Sequence, residues 1–339
     1  MPKVAVVILN YNGRKMLEQF LPSVIEYTEL SYEIVVADNG STDDSCNFIK
    51  ENYPQITLLK SPVNEGFSKG YNTALAQINA SYYVLLNSDV EVSSNWIEPI
   101  INLMDQNPGI GACQPKIRAY HQKSAFEYAG AAGGFIDQYG YPFCRGRLFD
   151  TIENDHHQYD DNLEIFWATG ACMFVKANLY HKLGGLDNDF FAHMEEIDLC
   201  WRIKNAGYKI YYCSESTVYH VGGGTLHKSN PRKTFLNFRN GLVLLYKNVE
   251  NGKVFSTLFI RMLLDGIAAA KFLFSGNVKD FYAVFRAHID FYKNIGLWKT
   301  KRRAISEHIV SYTKHGILQK SLVWHYFIKR EKKFSQIKF

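Results

Sequence analysis

The chain opens with an unbroken apolar run at residues 3–9, KVAVVIL, which stops abruptly at Asn10-Tyr11-Asn12-Gly13. A strand without polar alternation is buried on both faces, as in a parallel sheet covered by helices. Apolar residues then recur at helical spacing, at Met16, Leu17, Phe20, Leu21, Val24 and Ile25. A second buried strand, EIVVA at 33–37, ends at Asp38-Asn39-Gly40-Ser41-Thr42. Ser41 or Thr42 is placed to cap the next helix, with Asp43 and Asp44 in its first turn. A strand at 56–59, a turn at 64–67, a helix at 68–78 and a strand at 82–86 follow. This β-α-β-α-β-α-β order predicts a parallel, right-handed, doubly wound α/β sheet.

The fourth strand switches from apolar to polar at Asn87-Ser88-Asp89. A carboxylate ending a buried strand sits at the carboxyl edge of the sheet, where ligands bind in open α/β folds. Asp38 stands in the same relation to the second strand. Asp89 and Glu91 are hard oxygen donors, suited to Mg²⁺ or Mn²⁺ carrying a diphosphate.

Residues 109–166 are rich in glycine and aromatics and weakly periodic, and read as short antiparallel strands and loops flanking a site. The stretch AGAAGGF at 129–135 lacks the Lys-Ser/Thr of a phosphate loop. Periodicity returns with a strand at 167–175 and a helix at 176–183, stopped by Gly184-Gly185. Glu195-Glu196-Ile197-Asp198 opens a further helix reaching Asn205, with Gly207 as its C-terminal glycine. Helical spacing puts Glu195, Asp198 and Arg202 on one face and Glu196 on another.

At 339 residues, with 47% hydrophobic and 21% charged side chains, the chain has the composition of a globular protein. Its six cysteines show no C-x-x-C spacing, which excludes a zinc ribbon and a disulfide frame and implies a reducing, cytoplasmic setting. The first residues turn polar too soon for a signal peptide. The net charge of +5 is uneven: residues 293–339 carry 12 Lys or Arg against 2 acids, leaving 26 against 31 in residues 1–292. An acidic site region excludes a nucleic-acid reading.

Eight stretches in order resemble the family 2 inverting glycosyltransferases of GT-A fold, the rhamnosyltransferase-like branch in particular. They are VVILNYNG (6–13), VVADNGSTD (35–43), NEGFSKGYN (64–72), LLNSDVEV (85–92), TGACMFVK (169–176), GGLD (184–187), EEIDLCWRIKNAGY (195–208) and VYHVGGGT (218–225). The resemblance implies a catalytic domain over residues 1–240 with a mostly parallel, Rossmann-like sheet and flanking helices. It implies an enzyme that moves a sugar from a UDP- or dTDP-sugar to a hydroxyl of a glycan or lipid-linked acceptor, assisted by Mg²⁺ or Mn²⁺. Asn10, Tyr11 and Asp38 would hold the nucleotide, with Asp38 accepting the pyrimidine N3–H of uracil or thymine. Asn64 and Lys69 would lie in a loop closing over it. Asp89 takes the D-x-D-type metal position, reduced here to N-S-D, and His220 matches a histidine serving the metal or diphosphate. Glu196 falls where the family places its general base, with Glu-Glu in place of the usual Glu-Asp; Glu195 and Asp198 are the alternatives. A basic segment from His227 would cover the diphosphate. A nucleotidyltransferase, or a non-catalytic sugar-nucleotide binding protein, is the rival reading.

Residues 241–339 read as a helical, aromatic-basic extension. Val254–Phe274 is long enough to span a membrane, but Arg261, Asp265 and Lys271 share a stripe of roughly 120° on its wheel. A helix lying on an anionic membrane surface, at the inner face of the cytoplasmic membrane, is the expectation; packing on the catalytic domain is the alternative.

Overall fold

The computed structural model describes residues 3–222 and 230–339. The expected alternation is present: β1 (Val4–Asn10), α1 (Arg14–Glu26), β2 (Glu33–Asn39), α2 (Ser45–Asn52), β3 (Thr57–Ser61), α3 (Phe67–Leu75) and β4 (Tyr82–Asn87). β1 pairs in parallel with both β2 and β4, and β2 with β3. Successive β1 side chains feed opposite cores: Val4, Val6 and Ile8 face α1, while Ala5 and Val7 face Tyr71 and Leu75 of α3. That two-sided burial is why the run carries no polar alternation.

Beyond β4 the sheet becomes mixed. After β5 (Val90–Val92) and α4 (Glu98–Gln106) comes β6 (Ile110–Ala119), a ten-residue strand within the stretch expected to hold only short ones. Its polar residues are buried with partners: the Gln114 amide donates to the carbonyls of Pro115 and Gly130, and Lys116 pairs with Asp155 and Asp160. The short strands β7 (Gly134–Asp137), β8 (Pro142–Cys144), β9 (Arg147–Leu148) and β10 (Thr151–Ile152) form a second sheet beside the first. The main sheet is completed by β11 (Leu163–Ile165), β12 (Cys172–Lys176) and, after α5 (Ala177–Lys182) and α6 (Glu195–Asn205), β13 (Lys209–His220). Its order is β11-β13-β6-β12-β4-β1-β2-β3, with β12 antiparallel to both neighbours. This is the GT-A fold, with flanking helices.

Two local expectations change. Neither Ser41 nor Thr42 caps α2; the Asp43 carboxylate accepts from the N–H of Ser45, and the Ser41 hydroxyl accepts from the N–H of Asn12. The boundary expected between residues 240 and 241 falls inside α7 (Pro231–Asn248). α7 carries α8 (Val254–Phe274), α9 (Val278–Lys293) and α10 (Ile295–Ser306). The chain then returns to the small sheet through β14 (Ile317–Leu318), which pairs with β7. Among the described residues, no helix is long and apolar enough to cross a membrane.

Candidate active site

The carboxyl ends of β1 and β2 are stitched together. Asn10 donates to Asp38 Oδ1 at 3.1 Å and to the Ser41 hydroxyl at 3.2 Å, while the Ser41 N–H donates to Asp38 Oδ2 at 3.0 Å. Both side chains are buried, and Asn10 Oδ1 has no partner. Asn12 Oδ1 accepts the N–H of Thr42 at 2.7 Å, closing the second loop onto the first. Tyr11 stands beside this pair with half its surface exposed, an aromatic face at the mouth of a polar cleft.

Asn64 is set by its neighbours: its carbonyl accepts from Asn39 at 3.1 Å and from the Gly66 N–H at 2.9 Å. Lys69 lies half exposed on α3 with its ammonium 2.7 Å from Glu65. Gly66, at φ +83°, would with any Cβ press against the Phe191 ring at 3.0 Å, and the Phe67 N–H donates to the Phe191 carbonyl at 3.2 Å. The loop at 64–67 therefore leans on the loop leading into α6.

Asp89 and His220 meet across the β4–β5 turn, His220 Nε2 lying 3.2 Å from Asp89 Oδ1. The Val221 N–H fixes the approach by donating to the Asp89 carbonyl at 3.1 Å. Glu127, buried, reaches His220 Nδ1 at 3.5 Å. Gly222, at φ +72°, is required there, since a Cβ would fall 2.6 Å from Glu127 Oε1. Burial alone would lower the imidazole pKa, but Asp89 and Glu127 outweigh it and lift His220 to about 10. Burial would raise Asp89, but the hydrogen bond and charge of His220 hold it below the usual carboxylate range. A divalent cation would displace the proton that Asp89 and Glu127 hold on His220, leaving a carboxylate oxygen and a neutral imidazole nitrogen side by side as its donors. Among the described residues no group of three or more His, Cys, Asp or Glu side chains could enclose a metal, so further ligands would come from diphosphate and water. Glu91 is not part of this pair; it turns outward to Lys123.

The third group opens α6. Phe191, His193 and Met194 all take positive φ (64°, 69° and 74°), a strained approach for non-glycine residues. Asn240 of α7 holds it, its amide nitrogen donating to the carbonyls of Phe190 (3.1 Å), Ala192 (3.0 Å) and His193 (2.7 Å). Glu195 is buried and Glu196 half-buried, each with one carboxyl oxygen lacking a partner. Burial pushes Glu195 well above the usual range, and the charge of Glu196 adds to this. Burial also lifts Glu196, to about 7, against backbone N–H groups at the helix start that favour the anion. Asp198 points away, fully buried between Arg202, Lys247 and Asn248, each at 2.9 Å.

The segment 169–171 joins the second and third groups. A Cβ on Gly170 would stand 3.8 Å from that of Glu196 and 3.5 Å from the Phe67 ring, and the Ala171 carbonyl accepts from the Asn87 N–H at 3.0 Å. Glu196 and the Asp89 turn thus border one stretch of backbone. Residues 223–229, including Thr225 of the VYHVGGGT stretch and His227 and Lys228 of the expected diphosphate cover, lie outside the described residues. Glu127 and Asn240 were missed by sequence reasoning: one sits in the aperiodic middle and the other inside a helix, and neither has a local signal.

These features define a glycosyltransferase of the GT-A fold. The chain belongs to glycosyl transferase family 2, whose model matches residues 5–179. It is 26% identical over 229 residues to the N-acetylglucosaminyl-diphospho-decaprenol L-rhamnosyltransferase of Mycobacterium tuberculosis, covering 63% of this chain and 75% of the relative. It is 22% identical over 288 residues to the low-salt glycan biosynthesis hexosyltransferase Agl10 of Haloferax volcanii, covering 81% and 86%. Among solved structures it resembles GalNAc-T7 with UDP, GalNAc and Mn²⁺ (TM-score 0.56, 16% identity, 73% of this chain and 48% of that one). It also resembles the mannosyltransferase PcManGT of Pyrobaculum calidifontis with GDP-Man and Mn²⁺ (TM-score 0.52, 16% identity, 91% and 86%). At that identity the structural likeness speaks for the fold alone.

Proposed function

We propose that this enzyme transfers a hexosyl or rhamnosyl group from a UDP- or dTDP-sugar to a hydroxyl of a cell-surface glycan or lipid-linked acceptor, with inversion. The observation that carries the reading is Glu196: a half-buried carboxylate with one unpartnered oxygen, bordering the same 169–171 backbone as the Asp89–His220 pair. Asn10, Tyr11 and Asp38 bind the nucleotide, Asp38 accepting the imide N–H on a remaining lone pair. Asn64 and Lys69 flank it, Lys69 exchanging Glu65 for phosphate. Asp89 and His220 would hold Mg²⁺ or Mn²⁺, which would supply charge neutralisation for a diphosphate leaving group. Glu196 takes the acceptor hydroxyl proton as that oxygen bonds to the anomeric carbon; the carbon–oxygen bond to the nucleoside diphosphate breaks and the leaving group keeps the electron pair. Burial raises the carboxyl of Glu195, the neighbouring acid, and so favours its neutral form beside Glu196. Asp198 takes no part.

A lipid-linked acceptor is favoured because the mycobacterial relative's name specifies a diphospho-decaprenol acceptor. With it comes peripheral attachment at the inner face of the cytoplasmic membrane. Residues 1–248 form the catalytic part and the remainder the extension, since α7 runs unbroken to Asn248. Incubating the full chain with a panel of UDP- and dTDP-sugars, Mn²⁺ and a glycosyl acceptor, and following nucleoside diphosphate release and product anomeric configuration, tests the reading. An inverted product from one donor supports it; a retained configuration overturns the mechanism.

A further inference from the structure

The α8–α9 hairpin presents an apolar row outward and turns the Arg261–Asp265 pair of α8 inward. On α8, Arg261 and Asp265 are buried 2.7 Å apart. Arg261 also donates to the carbonyls of Tyr139 and Gly140, and Asp265 accepts from the Tyr141 hydroxyl at 3.1 Å and faces His288 of α9 at 3.2 Å. The opposite row, Phe255, Phe259, Leu263 and Ile267, repeats every fourth residue and is 84%, 50%, 55% and 65% exposed. α9 packs beside α8, both resting on α7, and continues the surface with exposed Phe285 and Ile289. A helical turn at Trp324–Ile328 adjoins it: exposed Phe327 lies 4.9 Å from the Lys271 ammonium, next to exposed Trp324. Exposed apolar rows that adjoin in this way, rather than single scattered side chains, are the mark of an interaction surface.

Charge identifies the occupant. Lys271, Lys279, Lys293, Lys329 and Arg330 are exposed on these same elements. The acids of the hairpin are engaged elsewhere: Asp265 is buried, Asp280 accepts from the Thr234 hydroxyl, and Asp290 faces Arg239 at 3.7 Å. A two-fold pairing of two copies would set these cations against each other, whereas an anionic surface complements them. Apolar rows bordered by Trp and Lys/Arg match the headgroup boundary of a bilayer.

We propose that this face docks on an anionic lipid leaflet by shallow insertion of Phe255, Phe259, Leu263 and Ile267, with the surrounding cations on the headgroups. The inference rests on the membrane attachment proposed above and adds the surface and its mode, insertion rather than charge alone.

The test is flotation of the full chain with phosphatidylcholine vesicles and with vesicles containing roughly a third phosphatidylglycerol. Wild type floats with the anionic vesicles and part of that binding survives high salt, because insertion is not screened. The double variant F259D/I267D, changed only at exposed positions, lowers the bound fraction about tenfold or more, while nucleoside diphosphate release with a water-soluble acceptor is unchanged. The proposal is overturned by three results: wild type that does not float, a variant that floats equally, or binding wholly abolished by salt. A wild-type dimer in sedimentation velocity that the variant dissociates also overturns it, assigning the face to a second copy. Turnover is read separately, so failed glycosyl transfer with intact flotation removes the proposed reaction and leaves the docking surface standing.

Discussion

Lys247 of α7 and Asp198 of α6 meet at 2.9 Å with both side chains excluded from water. Lys247 also reaches Asp187 at 2.5 Å, and Lys301 of α10 closes on the same carboxylate. Asp187 and Asp198 are both held below the usual carboxylate range; burial opposes this, and the lysine charges overcome it. The network clamps the C-terminal helices onto α6. Removing Lys247 leaves Asp198 with Arg202 and Asp187 with Lys301, so two buried carboxylates each lose one charge-assisted hydrogen bond, worth about 1.5–3 kcal/mol apiece. Lys247→Met is expected to lower the unfolding free energy, read from the shift of the urea midpoint at unchanged m-value, by that much, and Asp198→Asn by less, since the amide keeps part of the hydrogen bonding. Activity per folded molecule of Asp198→Asn is expected to stay near wild type, because its carboxylate faces α7. An inactive but stably folded Asp198→Asn would return this residue to the list of candidate bases.

The alternation of strands and helices up to Asn87 was legible because β1, β2 and β4 are buried on both faces, which leaves an apolar run and a polar stop. The helix at Glu195–Asn205 was legible from its acids and the glycine that ends it. β6 was not, since Pro115, Gln114 and Lys116 interrupt its pattern and their partners, Gly130, Asp155 and Asp160, lie elsewhere in the chain. Asn240 and Glu127 acquire meaning only through tertiary contacts. The amphipathicity of α8 was visible, but whether its charged stripe faced solvent or protein depended on Tyr139–Tyr141 backbone and hydroxyl groups that sequence does not place beside it.

Asn240 predicts a positioning effect. It is the common donor to three carbonyls of the strained loop before Glu196. Asn240→Ala leaves those buried acceptors short of a donor, at about 1–3 kcal/mol of stability. It is expected to lower kcat more than it raises KM for the donor, because the nucleotide is proposed to lie against β1 and β2. Steady-state kinetics beside a urea titration read both effects; a change in KM alone would show that the loop does not aim the carboxylate.

The Asp89–His220 pair predicts metal dependence. Chelation by EDTA is expected to abolish turnover, and Mn²⁺ or Mg²⁺ to restore it. Asp89→Ala is expected to remove turnover and the metal-dependent part of nucleoside diphosphate binding, as measured by calorimetry with and without Mn²⁺. The fold should persist, since Asp89 borders the cleft rather than the core. Full activity of Asp89→Ala in EDTA would dismiss the metal.

Glu196 sets the pH profile. A base must be ionised to accept a proton, and burial holds this carboxyl protonated up to about pH 7. Turnover at saturating substrate is therefore expected to rise with pH through that value and level off above it. Stability runs the other way: a carboxyl whose folded-state pKa is raised adds nothing below its unfolded value near 4.3, and weakens folding progressively as pH rises from there to the folded value. Glu196→Gln is thus expected to be at least as stable as wild type at pH 8 while losing 10²–10⁴-fold in rate, about 3–5 kcal/mol in the transition state. Donor binding should hardly change, because no proposed nucleotide contact involves Glu196. Glu196→Asp keeps the acid one methylene shorter and should retain substantial activity. A flat pH profile together with an active Glu196→Gln would place the proton on another group, and Glu195, buried one residue earlier, would be the next to test.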